Sequence, residues 1–330
     1  MSTVSPRTIA TMARLLLWSA AIAILSTATL TVVAARTFWL ADLATFAWPF
    51  LVLPAVIVFL SAILARRPAL IAISATGLGI ALLPSFALPT APPATGQPGL
   101  RVITANLFVE NERTPAEFID FLHRENPDVV VLQEIREHWQ EALVQSGLLP
   151  YQSSSDILSR DRMKVFSKLP ILSEMPLAPY FDGEQIRKRP VRLVLDNGGR
   201  PLVLYAIHPE TPRRPWKWRD RNNYLALTAQ AARGDLQSSD VIVAGDWNTP
   251  PWSPFFVDFL RNSGLQAAIV DLLPTMTRFS LRAAGLLGIH AGSQIDHVAV
   301  SPGISVGGWR AGPDYGSNHL PVIVDLALPR

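Results

Sequence analysis

The sequence predicts an α/β domain carried behind three apolar membrane spans, and three observations carry that expectation. Residues 15–35 and 43–65 hold no charged side chain, and none appears again between residues 68 and 100. Beyond residue 100 the composition changes to short β-branched runs separated by amphipathic stretches, the alternation expected of an α/β fold. Several of those runs end at a lone Asn, Glu, His or Asp.

About 20 apolar residues, rising 1.5 Å each, cross a hydrocarbon layer roughly 30 Å thick. Spans are therefore expected at about residues 15–35, 43–65 and 69–88, making residues 1–88 a membrane domain. Pro49, Pro54 and Pro84 fit such spans, because the carbonyls they free find local partners. A cleaved signal peptide is the rival reading of the first stretch, although its apolar part is longer than such peptides use. Arg7, Arg14, Arg66 and Arg67 mark the cytoplasmic side, whereas the intervening loop has only Arg36, with Asp42 nearby. The N-terminus is then cytoplasmic in the inner (cell) membrane. Three crossings deliver the rest of the chain to the outer, periplasmic face, with the lipid bilayer as a partner. PTAPPATGQP at 89–98 reads as an extended Pro-rich tether, so residues 89–99 are expected to be a linker and 100–330 a separate domain.

The net charge of +3 belongs to the N-terminal third, where five Arg stand against Asp42; the remainder is nearly balanced. A globally basic nucleic-acid-binding body is thereby excluded. The absence of Cys excludes thiol catalysis, Cys-zinc sites and disulfides.

In the C-terminal part, Leu100–Ala105 reads as a strand ending at Asn106. Thr114-Pro115-Ala116-Glu117 reads as a capping box opening a helix to about Arg124. Val129–Leu132 is a buried type of strand running into Gln133-Glu134. Pro201–Ile207 runs into His208, and Val241–Ala244 into Gly245-Asp246-Trp247-Asn248. Ile295–Val300 alternates as a strand around Asp296 and His297, and Ser317-Asn318-His319 precedes a last strand, Pro321–Leu328. Polar groups at the ends of buried strands are expected to meet at one rim of a sheet pair, where a scaffold holds reactive groups rigidly. Taken singly, each has a plainer reading. Asp246-Trp247-Asn248 is also a good turn, His208 before Pro209 a strand terminator, and Glu134 with Glu137 and Glu141 the start of a solvated helix.

As an ordered set, Asn106, Gln133-Glu134, His208, Gly245-Asp246-x-Asn248, Ile295-Asp296-His297 and Ser317-Asn318-His319-x-Pro321 resemble the endonuclease/exonuclease/phosphatase (DNase I-like) superfamily. The likeness spans about residues 100–328. With the apolar N-terminus, the chain resembles the family's bacterial membrane-anchored members. The resemblance implies a four-layer α/β sandwich with the site at one end of its sheets. It also implies a hydrolase that cleaves phosphodiester or phosphomonoester bonds of nucleic acid or phospholipid headgroups, with Mg²⁺, or Mn²⁺ in its place, as cofactor.

The resemblance also distributes the roles. Glu134 is the metal ligand, and Asn106 supports the metal or the catalytic Asp. Asp246 orients the attacking water, Asn248 donates to a phosphate oxygen, and His208 and His319 hold the scissile phosphate. Asp296 has a task on physical grounds, since a carboxylate on one imidazole nitrogen fixes the tautomer of His319 and raises its basicity. His297, adjacent on the strand, is expected to face away. The family usually has Asp where Asn318 stands, which favours one metal over two.

Two basic clusters stand apart from these motifs. TPRRPWKWRDR at 211–221 reads either as a grip for polyanions or anionic headgroups, or as a solvated helix start with Trp partly in the core. Arg187, Lys188, Arg189 and Arg192 form the second cluster. No protein partner is inferable. The alternative function is a non-catalytic membrane-anchored binding protein on the same fold, against which the presence of the full polar set argues.

Overall fold

In the computed structural model the described residues are 5–83, 88–154, 161–269, 275–281 and 291–329. The chain divides into two units, Met1–Ala87 with Trp252–Pro254, and Leu88–Pro251 with Phe255–Arg330.

In the first unit, helix Pro6–Ala34 is N-capped by Ser5, whose hydroxyl accepts from the Thr8 N–H. It is the one described helix long and apolar enough to cross a membrane by itself. The three-span expectation is corrected for the other two stretches. Residues 43–65 are broken: a short helix, Trp39–Ala44, and a 3₁₀ turn, Thr45–Ala47, meet helix Pro49–Leu64 at 72°. Pro49 opens that second helix, where its missing N–H costs nothing. The helix has 16 residues and the next, Pro68–Leu82, has 15, so each is only about 22–24 Å long. Residues 84–87 of the expected third span, Pro84 included, lie outside the described residues. The helices of this unit meet through small side chains, Ala21, Ala55 and Ala62 among them. A Cβ on Gly77 would stand 3.3 Å from the Leu25 backbone.

The second unit is built on strands that run in chain order β1 (Leu100–Asn106), β2 (Val129–Gln133), β3 (Tyr151–Gln152), β4 (Lys164–Ser167), β5 (Ile171–Pro176), β6 (Tyr180–Phe181), β7 (Glu184–Gln185) and β8 (Val191–Asn197). They continue as β9 (Arg200–Ile207), β10 (Asp240–Asp246), β11 (Gln266–Ala267), β12 (Arg278–Leu281), β13 (Ala291–Ser293), β14 (Asp296–Val300), β15 (Ser305–Ala311) and β16 (Val322–Ala327). Two six-stranded mixed sheets result, in the orders β15-β16-β1-β2-β4-β3 and β11-β14-β10-β9-β8-β5. β1 and β2 pair in parallel, as do β9 and β10.

Val102, Val131, Val165 and Val324 of the first sheet meet Leu193, Leu204, Ile242 and Val298 of the second in a dry core. Each such side chain contributes about 1.5–3 kcal/mol on burial. The opposite faces are covered as well, which is why these strands read as continuous apolar runs. Phe118, Phe121, Leu122 and Trp139, from helices Ala116–Glu125 and Glu137–Ser146, cover the first sheet. Tyr224, Ala229, Phe256 and Phe259, from helices Pro215–Asp235 and Pro254–Ser263, cover the second. The four layers are those of the expected α/β sandwich. The capping box at Thr114 is not what opens helix Ala116–Glu125: it starts one residue later than expected, and its cap, Pro115, has no side chain able to bond.

The Pro-rich stretch is a lace rather than a free tether. Thr90 bridges Ala267 of β11, and Pro93 bridges Val306 of β15, so the segment runs along an edge strand of each sheet in turn. Ala91 N–H donates to the Ala267 carbonyl and Ala94 N–H to that of Val306, both at 2.9 Å; the Pro89 and Pro92 carbonyls accept in return. Proline suits an edge because the N–H it lacks is not needed there.

Candidate active site

Topology alone collects the chemistry-bearing residues. The parallel register of β1 and β2 sets Asn106 beside Gln133, one residue short of Glu134. The antiparallel register of β10 and β14 sets Asp246 directly opposite Asp296, a like-charge pairing that costs stability in an ordinary sheet. His208 follows β9, and His319 stands just before β16. The backbone turns sharply at these ends: Glu134 has φ 53° and Asn248 φ 46°, left-handed conformations uncommon outside Gly. A Cβ on Gly245 would lie 1.9 Å from the Ile207 carbonyl oxygen, so only Gly lets β10 approach β9 here.

Asn106 is the hub. Its Nδ2 donates to Glu134 Oε1 at 3.2 Å and to Asp246 Oδ2 at 3.1 Å, while its Oδ1 accepts the Phe108 N–H at 3.0 Å. The second Glu134 oxygen accepts the Val109 N–H at 3.1 Å. Asp246 Oδ1 accepts the Asn248 N–H at 2.9 Å, and Asn248 Nδ2 donates to the Pro209 carbonyl at 3.0 Å. The Nε2 atoms of His208 and His319 each stand 3.8 Å from Asp246 Oδ2, and that of His208 is also 3.8 Å from Glu134 Oε1. His319 Nδ1 meets Asp296 Oδ2 at 2.9 Å. The structure thus brings Asn106, Glu134, His208, Asp246, Asn248, Asp296 and His319 together. His297 lies on the other face, against Trp247 and Phe256, with Nε2 3.0 Å from the Thr249 carbonyl.

Electrostatics separate these groups. Burial, then the facing Asp296 carboxylate, pushes the Asp246 pKa up to about 6. Burial holds His208 well below the usual imidazole value, helped by the charges on Lys188 and His319. Burial also opposes charge on His319, but Asp296 and Asp246 overcome it and raise its pKa. His297 is pushed down to about 4 by burial. Neighbouring groups with pKa values driven apart are an arrangement suited to acid–base work.

Sequence reasoning missed several supports. Arg221, inside the 211–221 cluster, is completely buried and donates to the Asn248 carbonyl at 3.1 Å and to Thr249 Oγ1 at 2.8 Å. It clamps the Asp246–Asn248 turn and is not a surface grip. Ser317 Oγ donates to the Asn106 carbonyl at 2.6 Å and accepts the His319 N–H at 3.0 Å. Thr277 Oγ1 accepts the Ile295 and Asp296 N–H groups. Lys188 reaches His208 Nδ1 at 3.5 Å. A basic run gives no signal to separate such inward cations from solvated ones. Arg213, Arg214 and Arg219 of the 211–221 cluster are exposed, Lys217 pairs with Glu210, and Arg187 of the second cluster lies 4.3 Å over the Trp216 ring.

Two placements bear on a cation. Asp246, Asp296 and His319 hold potential ligand atoms within 4.8 Å of one another, but His319 and Asp296 already bond each other. Glu134 is the more accessible carboxylate and faces Asp246 across the Asn106 amide, and Asn318 Oδ1 is buried without a partner. Hard oxygen donors of this kind fit a divalent cation. Asn106 turns its amide nitrogen, which cannot ligate a cation, toward both carboxylates and orients them.

A four-layer sandwich with carboxylates and imidazoles converging at one rim defines a class of phosphoester hydrolases. The profile of the Endonuclease/Exonuclease/phosphatase family matches residues 103–319, and the chain belongs to that family. Its members hydrolyse phosphate esters and generally use divalent metal ions. Among solved structures, an endonuclease/exonuclease/phosphatase from Beutenbergia cavernae is 20% identical, with TM-score 0.52, over 71% of this chain and 72% of that one. One from Bacteroides vulgatus is 14% identical, with TM-score 0.55, over 69% and 98%. A humanized D. rerio TDP2 is 16% identical, with TM-score 0.54, over 69% and 98%. At these identities the likeness is one of fold. No curated protein sequence matches the chain.

Proposed function

We propose that the chain is a membrane-anchored, Mg²⁺-dependent phosphodiesterase whose reaction is centred on Asp246. The observation that carries this reading is one carboxylate oxygen, Asp246 Oδ2, standing 3.8 Å from two imidazole Nε2 atoms and sharing an amide donor with Glu134. A carboxylate raised to about 6 is a better proton acceptor at neutral pH than an ordinary Asp. In this reading Asp246 orients a water in line with the phosphorus and takes its proton. His319, whose pKa its carboxylate neighbours raise against burial, and His208 present Nε2 to the phosphoryl oxygens. Asn248 keeps one amide N–H free of Pro209 to join them. A bound Mg²⁺, held by Glu134, would supply Lewis-acid neutralisation of phosphoryl charge.

The membrane assignment rests on the first unit, whose packing is inside out. Ala21, Ala28, Ala55, Ala62 and Ala81 are buried, while Leu15, Leu16, Leu53, Ile57, Leu60 and Leu64 are exposed. Small residues at helix contacts with large apolar ones outside suit lipid surroundings. With Arg7 and Arg14 cytoplasmic, a single crossing by Pro6–Ala34 puts the catalytic unit on the outer, periplasmic face. An active alkaline phosphatase fusion at the C-terminus, with a dark green fluorescent one, is the expected result; the reverse pattern refutes this orientation.

The purified chain is expected to hydrolyse bis(p-nitrophenyl) phosphate with Mg²⁺ and to stop with chelator. Turnover that is indifferent to chelator removes the metal assignment, and turnover unchanged in both Asp246→Asn and His319→Gln removes the site. Single-stranded nucleic acid compared with phospholipid headgroups under one metal condition decides the substrate class.

A further inference from the structure

One charged group beside the centre has no part in the reaction as described. Lys188 lies between β7 and β8, its ammonium 3.5 Å from His208 Nδ1. The backbone on either side of it is anchored. The Arg187 N–H donates to Asp220 Oδ1 at 2.9 Å, and the Arg189 N–H to Asp161 Oδ2 at 3.3 Å. Both carboxylates also feel the Lys188 charge. The lysine is therefore held in place by its loop.

An ammonium has three donors and no acceptor, whereas a neutral imidazole has one of each. A protonated imidazole would set a second cation against Lys188 inside a buried site, so the ring facing it is neutral and offers Nδ1 as a lone pair. Its one proton is then on Nε2, the nitrogen directed at Asp246 and Glu134. At His319 the anchor is an anion. There Nδ1 faces the Asp296 carboxylate, which only accepts, so the proton sits on Nδ1.

We propose that Lys188 is a positioning residue that fixes His208 as an Nε2–H donor, so that the two histidines flanking Asp246 are each anchored through Nδ1, His208 by a cation and His319 by the Asp296 carboxylate. Only the catalytic consequence rests on the phosphodiesterase reading; the tautomer does not.

The test uses the full-length chain with ¹⁵N-labelled histidine, its six imidazoles read by nitrogen chemical shift in chelator, and His208 assigned by the signal lost in His208→Gln. In the wild type, His208 is expected to show a protonated Nε2 and a bare Nδ1. Lys188→Met should shift it toward a tautomer mixture, and Lys188→Arg, which keeps a cationic donor, should restore the wild-type pattern. With Mg²⁺ and bis(p-nitrophenyl) phosphate, kcat in Lys188→Met should fall about tenfold to a hundredfold with KM changed less than twofold, as loss of an oriented proton donor implies. A His208 signal unchanged in Lys188→Met overturns the proposal. So does a raised KM at constant kcat, which would make Lys188 a substrate grip. A wild type that hydrolyses nothing would strike the functional reading, while the nitrogen shifts would still decide the tautomer.

Discussion

Two carboxylates, the half-buried Asp235 at a helix end and the buried Asp246 at a strand end, live in opposite electrostatic worlds. Asp235 closes helix Pro215–Asp235 over the outer face of the second sheet. It takes two bonds from the Arg192 guanidinium, at 2.7 and 2.8 Å, and one from the Tyr205 hydroxyl at 2.6 Å. Burial alone would raise its pKa, but these partners hold it below the ordinary carboxylate range. Asp246 has neutral amide donors and a second carboxylate opposite, and its pKa goes up to about 6. The scaffold saturates the charge it buries; the rim leaves negative charge under-compensated, and that surplus is what a cation would relieve.

The sharpest way to break this contrast is Asp246→Asn. Catalysis is expected to fall at least about 10³-fold, in the range of losing a centrally placed acid–base group, while the fold gains. The folded-state pKa of Asp246 is raised, so its contribution to stability is full below the unfolded value near 4 and is lost as pH rises through about 6. At pH 8 with chelator, the variant should therefore melt above the wild type. A lower melting temperature there would mean that the charge is compensated after all.

Next in size is Asp296→Asn, expected to cost roughly 10²-fold in kcat with little change in KM, since it removes the anchor of the His319 tautomer and not a substrate contact. A KM effect alone would place Asp296 in binding. Arg221→Met tests whether the turn needs its clamp. Removing a buried guanidinium that serves Asn248 and Thr249 should destabilise the chain by about 3 kcal/mol and lower kcat, whereas unchanged melting would make the buried cation dispensable.

How much of this was legible in advance follows from the same distinction. Asn106, Glu134, His208, Asp246 and His319 were visible because each interrupts an apolar β-branched run, where a polar residue is conspicuous and the strand fixes its direction. Lys188 and Arg221 were not, because they sit in basic runs, RKR and RDR, whose members look alike until the fold turns one toward the site and another toward solvent. The Pro-rich stretch misled in a similar way. Its composition gives extended backbone correctly, but composition cannot say that two unpaired sheet edges are waiting for it. Charge-free length likewise overcounted spans, since it ignores that Pro49 restarts the helix and that the helix from Pro68 stops at Leu82. At the site, Asn106 was legible as a participant, yet its part depends on which end of the amide faces the carboxylates, and that is decided by the Phe108 N–H.

The smallest expected effect lies at Asp235, and it is the control for the whole contrast. Asp235→Asn removes a bidentate pair that is less than a quarter exposed on each partner. It should cost about 1–3 kcal/mol of stability, with kcat and KM unchanged because no atom of the triad reaches the rim. The pH dependence has the opposite sign to that of Asp246. A depressed folded-state pKa means the contribution is present above the unfolded value near 4 and disappears as pH falls through the lower folded value. Wild type and Asp235→Asn should therefore differ in melting temperature at pH 6 and converge toward the acid end. Convergence on the alkaline side instead would show that Arg192 and Tyr205 do not hold this carboxylate ionised, and the separation between a saturated scaffold and an under-compensated rim would be lost.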